Sequence, residues 1–254
     1  VNIRSILCLG VLRIQTTVLY CIVFLNHNIQ AYTNQMSRTL PQIVYVEGNI
    51  GAGKTTAIQT IATCLRNRGV TVQTLLEPIS RWVELDNTGQ SPLGRFYENP
   101  RKYAMYFQMI VLCTLRERFD SMDPNVEIIL IERSPNSSVH VFSKAMLNDN
   151  FITVSEYNAL HVFANKIMQN RLFTKTIYMQ CLPNVGIRRI AKRGRIAELG
   201  MSMDYMNTLH EYHNDWLNNT DVFVFNANLE KDTDEYTREC QNCADDLYVQ
   251  LNYA

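Results

Sequence analysis

Short apolar runs rich in β-branched and aromatic residues recur along this chain between longer stretches of helical spacing. Five of them, Gln42–Glu47, Thr71–Glu77, Glu127–Glu132, Lys175–Cys181 and Asp221–Asn226, predict strands. Between them, Lys54–Asn67, Pro100–Asp120, Val154–Asn170, Asn184–Arg193 and Met203–Leu217 place apolar residues three or four positions apart and predict helices. Parallel neighbours need a crossover, usually a helix, so the alternation predicts an α/β fold: a parallel five-stranded sheet with helices on both faces. Such sheets bind ligands beyond the carboxyl ends of their strands, and the chemistry is expected on that rim.

With 254 residues, 46% of them hydrophobic and 19% charged, the chain can bury one full core and fits a single domain better than two. Lys plus Arg equal Asp plus Glu at 24 each, which leaves no positive excess to exchange for the counterions of a nucleic acid. A small anionic ligand is the better partner. The 7 cysteines are scattered through predicted helices and strands, as suits reduced thiols. Cys240 and Cys243 form a lone C-x-x-C without a second pair, and His210 and His213 have no third ligand nearby, so neither pair predicts a metal site.

The first strand runs into Gly48-Asn49-Ile50-Gly51-Ala52-Gly53-Lys54-Thr55-Thr56, a complete G-x-x-x-x-G-K-[ST] between a strand and a helix. Glycines let such a loop curl until successive N–H groups converge on phosphate oxygens. Lys54 then reaches the outer phosphates and the Thr55 hydroxyl turns to Mg²⁺. All nine residues, Gly48 to Thr56, are candidate ATP-binding positions, and the arrangement is that of a P-loop NTPase-type fold. A GTPase would add N-K-x-D, but Asn165-Lys166-Ile167-Met168 lacks the Asp and sits mid-helix.

Other strand ends carry the rest of the chemistry. The second strand ends at Glu77-Pro78, and the third at Glu132-Arg133-Ser134, where P-loop proteins place a metal-directed acid. Glu77 is positioned to accept a proton from an alcohol, with Arg133 to hold it ionised. Arg188-Arg189-Ile190-Ala191-Lys192-Arg193-Gly194-Arg195 is too basic for a buried helix and is expected to form an Arg-rich lid. Together with Trp82, Tyr97 and Phe107-Gln108, these segments resemble the deoxyribonucleoside kinase family, the group of the insect multisubstrate kinase, mitochondrial thymidine kinase and deoxycytidine kinase. The resemblance runs from about Gln42 to Leu217, with the motifs in the family's order.

That resemblance implies ATP- and Mg²⁺-dependent phosphorylation of a deoxynucleoside 5′-hydroxyl, with Glu77 as general base beside Arg133 and Lys54, and with Thr55 and Glu132 toward the metal. It implies that Arg189, Arg193 and Arg195 close over the triphosphate. Tyr97 and Glu198 match the pair that holds the sugar 3′-hydroxyl, the Tyr97 ring crowding a 2′-hydroxyl. Trp82 and Phe142 match positions that line the base. Gln108 carries a donor and an acceptor on one planar amide, which suits thymine in one orientation and cytosine in the other. Where deoxycytidine- and purine-accepting relatives carry an Arg and an Asp facing the base, this chain has Leu115 and Ser138; with Val111 they predict an uncharged pocket with room for the 5-methyl of thymine. A thymidine-leaning pyrimidine kinase is therefore expected. Ser134-Pro135 departs from the family pattern, and Pro is tolerated in a helix's first turn. A homodimer is implied, with the face from Met105 to Leu115 a candidate contributor. The rivals are a nucleoside monophosphate kinase such as thymidylate kinase, a herpes-type thymidine kinase, and a non-catalytic ATP-binding partner subunit.

Ahead of the first strand, Ser5 to Leu25 is largely apolar but interrupted by Arg13, Gln15, Thr16 and Thr17, which argues against a membrane span of about 20 apolar residues. No acid precedes Glu47, while Arg4, Arg13 and Arg38 are basic, as in organelle import leaders. Met36 stands just before the first strand. Residues 1–36 are thus expected to be a leader or a non-native extension, poorly ordered, and 37–254 the kinase domain. A cytoplasmic location is expected, or a mitochondrial one if the leader is genuine.

Overall fold

Strand β1 (Gln42–Gly48) is buried from Ile43 onward, and all of β3 (Ile128–Glu132) is buried. Continuous apolar runs of this kind belong inside a parallel sheet covered on both sides. The computed structural model describes residues 40–253 apart from 85, 170–173, 196, 197, 199 and 219; the expected leader, 1–36, lies outside the described residues. Among the described residues, β1 lies between β3 and β4 (Thr174–Gln180), with β2 (Val72–Leu75) and β5 (Phe223–Asn226) on the flanks. The order is β2-β3-β1-β4-β5 and every pairing is parallel, with Val44 opposite Leu130 and Lys175.

Alternation along the strands divides the core in two. Val44, Val46, Ile128 and Leu130 face α1 (Lys54–Asn67), through Ile58, Ile61 and Leu65, and α10 (Asp234–Tyr253), through Cys240, Cys243 and Leu247. Ile43, Tyr45, Ile129 and Ile131 face α4 (Pro100–Asp120), through Leu112, Leu115 and Phe119, and α7 (Val154–Met168), through Leu160 and Ile167. Helices thus cover both faces, as the sequence predicts. Cys240 and Cys243 are fully buried where α10 meets α1, acting as small apolar side chains. Leu112 and Leu115 turn inward, so that part of the Met105–Leu115 face packs within the chain rather than against a second copy.

Three differences from the predicted elements bear on the site. The second strand stops at Leu75 rather than Glu77: Pro78 has no N–H, and the Ile79 amide folds back on the Glu77 carbonyl at 2.9 Å. Short helices α2 (Ile79–Val83) and α3 (Pro92–Glu98) follow it. After β3 come α5 (Pro135–Ser137), a π-helical turn (Ser138–Ser143) and α6 (Lys144–Asn148). Beyond β4, α8 (Pro183–Arg193) ends at Gly194 in the left-handed region, and α9 (Met203–Leu217) leads to β5. No helix among the described residues is long and apolar enough to cross a membrane.

Candidate active site

The loop between β1 and α1 is held from several sides. The Asn49 carboxamide is buried, accepting from the Ile50 N–H at 2.8 Å and donating to the Met206 carbonyl at 3.0 Å, which ties the loop to α9. Gly51 has φ +76°, and a Cβ there would lie 2.5 Å from the Gly186 carbonyl oxygen of α8. Gly48 is equally constrained, its added Cβ falling 2.7 Å from the Met179 carbonyl. Gly51→Ala must push the loop off α8, at about 1–3 kcal/mol. It is expected to lower Tm and to abolish any further rise in Tm that a nucleotide donor brings to the unmodified protein, measured by thermal shift.

Lys54 turns back into the loop, its Nζ donating to the Gly48 carbonyl at 3.2 Å and the Asn49 carbonyl at 3.0 Å. Burial depresses its pKa to about 8, helped by Arg133 and opposed by Glu132, Glu77 and Glu47. An ammonium held on two neutral carbonyls in a site that penalises its charge is primed to trade them for phosphate oxygens. The Thr55 hydroxyl donates to Glu132 at 2.9 Å, so a hydroxyl and a carboxylate stand together beside the loop. Such hard oxygen donors fit a divalent cation of the Mg²⁺ kind.

Arg133 follows directly, with φ 64°, an uncommon left-handed conformation for a residue with a side chain. Two contacts hold it: its own N–H reaches the Val46 carbonyl at 3.1 Å, and the next N–H, of Ser134, reaches the Glu47 carboxylate at 2.7 Å. Glu47 is wholly buried, and burial raises its pKa against the lowering effects of Ser134 and Arg133. The left-handed turn sends the Arg133 side chain back along the rim. There its Nε meets Glu77 Oε1 at 2.8 Å and its guanidinium lies 4.6 Å over the Phe142 ring. Glu77 is in turn anchored by its N–H, 3.4 Å from Glu132 Oε2.

These groups open into one cavity of about 250 Å³. Ile50, Gly51, Lys54, Thr55 and Glu132 line it, as do Arg193 and Arg195 from the basic segment. Glu77, Arg133, Trp82, Tyr97, Gln108 and Phe142 share the same lining. Glu198 also reaches it, pairing with Arg193 and with Arg195 at 3.3 Å. The Tyr97 phenol is pushed up to about 12, first by burial and then by the nearby Glu198 carboxylate. An inner recess of about 60 Å³ holds Val111, Leu115 and Ser138, and there the Ser138 hydroxyl donates to Gln108 Oε1 at 2.6 Å. The wide i→i+5 turn puts Ser138 and Phe142 on one face toward this recess.

Some predicted positions stand elsewhere. Gly48, Asn49, Ala52, Gly53 and Thr56 shape the loop without lining the cavity. Arg189 approaches Gly53, 4.0 Å from the position of an added Cβ, but its guanidinium donates to the Ala227 and Leu229 carbonyls at 2.6 and 2.7 Å, which moor α8 to the segment after β5. Other lining residues escape the sequence reading. Phe96 stacks at 5.4 Å on Phe107, the neighbour of Gln108, to form an aromatic wall, and Tyr205 enters from α9. The aromatic density of residues 96–107 is a visible signal; for Tyr205 there is none, because distant packing alone brings it in.

A phosphate cradle, a buried acid–arginine pair and an aromatic slot ending in an amide thus share one cavity. A sequence profile described as deoxynucleoside kinase matches residues 44–247, most of the chain and every element just described. The chain belongs to the deoxynucleoside kinase family. It is similar to a thymidine kinase of Ictalurid herpesvirus 1, 29% identical over 189 residues that cover 73% of this chain and 79% of the relative. It is likewise similar to the human mitochondrial thymidine kinase 2, at 27% over 73% of this chain and 68% of that protein, and to human deoxycytidine kinase, at 26% over 68% and 74%. As a member of this family the protein is a phosphotransferase that phosphorylates deoxynucleosides at the 5′-hydroxyl from a nucleotide donor.

Proposed function

We propose that this deoxynucleoside kinase uses ATP and Mg²⁺ and prefers pyrimidine deoxynucleosides, thymidine first. The observation that carries the reading is the Glu77–Arg133 pair at 2.8 Å in the same cavity as Lys54 and Thr55. Glu77 takes the proton of the 5′-hydroxyl as that oxygen bonds to the γ-phosphorus, and the bond from phosphorus to the β–γ bridging oxygen breaks to release ADP. Arg133 orients Glu77 beforehand through their 2.8 Å contact. Lys54, with Arg193 and Arg195, meets the charge on the transferring group. Thr55 and Glu132 would hold the Mg²⁺, which neutralises phosphate charge.

At the other end, Trp82 and Phe142 enclose the base, and Gln108 reads its edge through one donor and one acceptor. Tyr97 and Glu198 bind the 3′-hydroxyl. Val111, Leu115 and Ser138 bring uncharged side chains to the recess, which the Glu77–Arg133 ion pair also borders; the uncharged set supports a place for the thymine methyl. A monophosphate acceptor fits less well, because Glu77 would repel its phosphate.

Steady-state kinetics on the four deoxynucleosides tests the preference. Thymidine is expected to have the highest kcat/KM, with deoxycytidine within about tenfold because the amide serves both rings. A kcat/KM for deoxyguanosine above that for thymidine removes the claim. The same reading takes the enzyme as a homodimer, for which sedimentation would return twice the chain mass.

A further inference from the structure

The ladder between β2 and β3 ends at the Leu75–Ile131 pair. Beyond it the two chains part, one running to Glu77 and the other to Glu132 and Arg133. The side chain that fills the parting is Arg118, from the last turn of α4. Its Nη1 donates to the Glu132 carbonyl at 2.9 Å and to the Leu75 carbonyl at 3.3 Å, spanning both strand ends where the next backbone rung would fall. Arg118 is only 9% exposed, and its Nε and Nη2 are buried without a hydrogen-bond partner among the described residues. The charges that act on it are Glu77, Glu132 and Glu47, which favour its cation, and Arg133, which opposes it.

A buried guanidinium with donors left over is costly. A leucine or methionine would fill the same buried position, one turn on from the buried Leu115, without that cost, so packing does not account for an arginine here. What an apolar residue cannot do is bridge two carbonyls and place a positive charge behind two carboxylates. The Glu77 amide lies 3.4 Å from the Glu132 carboxylate, so both acids sit in one small region and both must stay ionised for the proposed reaction.

We propose that Arg118 is a positioning residue for phosphoryl transfer: a guanidinium bridge across the diverging ends of β2 and β3 that sets Glu77 and Glu132 at their working separation. The inference rests on the roles assigned above to those two acids. The bridge replaces the missing backbone rung, and its charge relieves the repulsion between the carboxylates in front of it. Arg118 itself lines neither the main cavity nor the recess, so its effect reaches the substrate only through the strand ends.

The test uses the full-length enzyme, with Arg118→Met to remove charge and fork and Arg118→Lys to keep the charge alone. Nucleoside affinity is read separately from turnover through quenching of Trp82, which lines the cavity. Arg118→Met is expected to lower kcat roughly 10–100-fold, the scale of a misplacement of about 1 Å, with thymidine Kd and KM within about threefold. Arg118→Lys should recover part of the loss. In Arg118→Ala, millimolar guanidinium should restore turnover while leaving the unmodified enzyme unaffected. A kcat for Arg118→Met within threefold of the unmodified enzyme overturns the proposal. So does a loss of kcat matched by an equal loss of thymidine affinity, which marks a purely structural role. If Arg118→Met is insoluble, Arg118→Lys decides: lower kcat with unchanged Kd supports the bridge, and unchanged kcat removes it. Failure of the unmodified enzyme to phosphorylate deoxynucleosides, or full turnover in Glu77→Gln, strikes the underlying reading instead.

Discussion

Replacing Glu77 by Gln is expected to lower kcat for thymidine phosphorylation by about 10²–10⁴, the usual contribution of a positioned general base. The amide keeps the shape of the side chain and can still accept from Arg133, whose Nε lies 2.8 Å from the carboxylate, but it cannot take a proton. Thymidine KM should therefore move by no more than about threefold, because binding and proton transfer draw on different atoms. Single-turnover kinetics with excess enzyme would separate chemistry from product release. Turnover unchanged in this variant would falsify the assignment of Glu77 as base. The outcome also bears on the reading of this cleft as an alcohol-activating site rather than one for a phosphorylated acceptor: a monophosphate substrate would bind better once the carboxylate charge was gone, whereas thymidine would gain nothing.

Lys54→Met is expected to reduce phosphoryl transfer by roughly 10²–10³, the scale of removing a preorganised electrostatic contact to the transition state. Thymidine affinity, read from Trp82, should be nearly unchanged, since the residues proposed to hold the nucleoside come from other elements. Stability should not fall in step with activity. Lys54 is 5% exposed, and a pKa near 8 means that burial disfavours its ammonium form by about 3 kcal/mol relative to an unfolded lysine. The sign follows from the depression: the penalty is full below pH 8, where the folded side chain is charged, and fades as pH rises toward the ordinary lysine value. Methionine removes that penalty while losing two hydrogen bonds to carbonyls, so Tm at pH 7 should stay level or rise. A variant that loses thymidine affinity along with turnover would show that Lys54 shapes the cavity rather than meeting the phosphates.

The legible part of this protein is the part whose physics is local. The run Ile43 to Val46 and the glycines after it define strand and phosphate loop within a few residues, because φ and ψ there are set by missing Cβ atoms and by burial on both faces. Helix α10 is not among the predicted elements, although its apolar positions at Tyr236, Cys240, Cys243, Ala244 and Leu247 keep a helical spacing once cysteine is counted as apolar. The chemistry on the strand ends is readable for the same reason: Glu77, Glu132 and Arg133 fall where alternating strands and helices must end.

Sequence alone therefore determined the strands, the loop and the residue types on the rim, since each depends on neighbours in the chain. Only the tertiary structure decided how those residues meet. Arg133 reaches Glu77 because a left-handed turn is pinned by the buried Glu47, 87 positions away from Ser134. Arg118 comes under the two acids because α4 crosses the sheet at that height, and Arg189 moors α8 to carbonyls that follow β5. Such contacts join residues remote in sequence, and their strength comes from burial, which no local pattern of residues records.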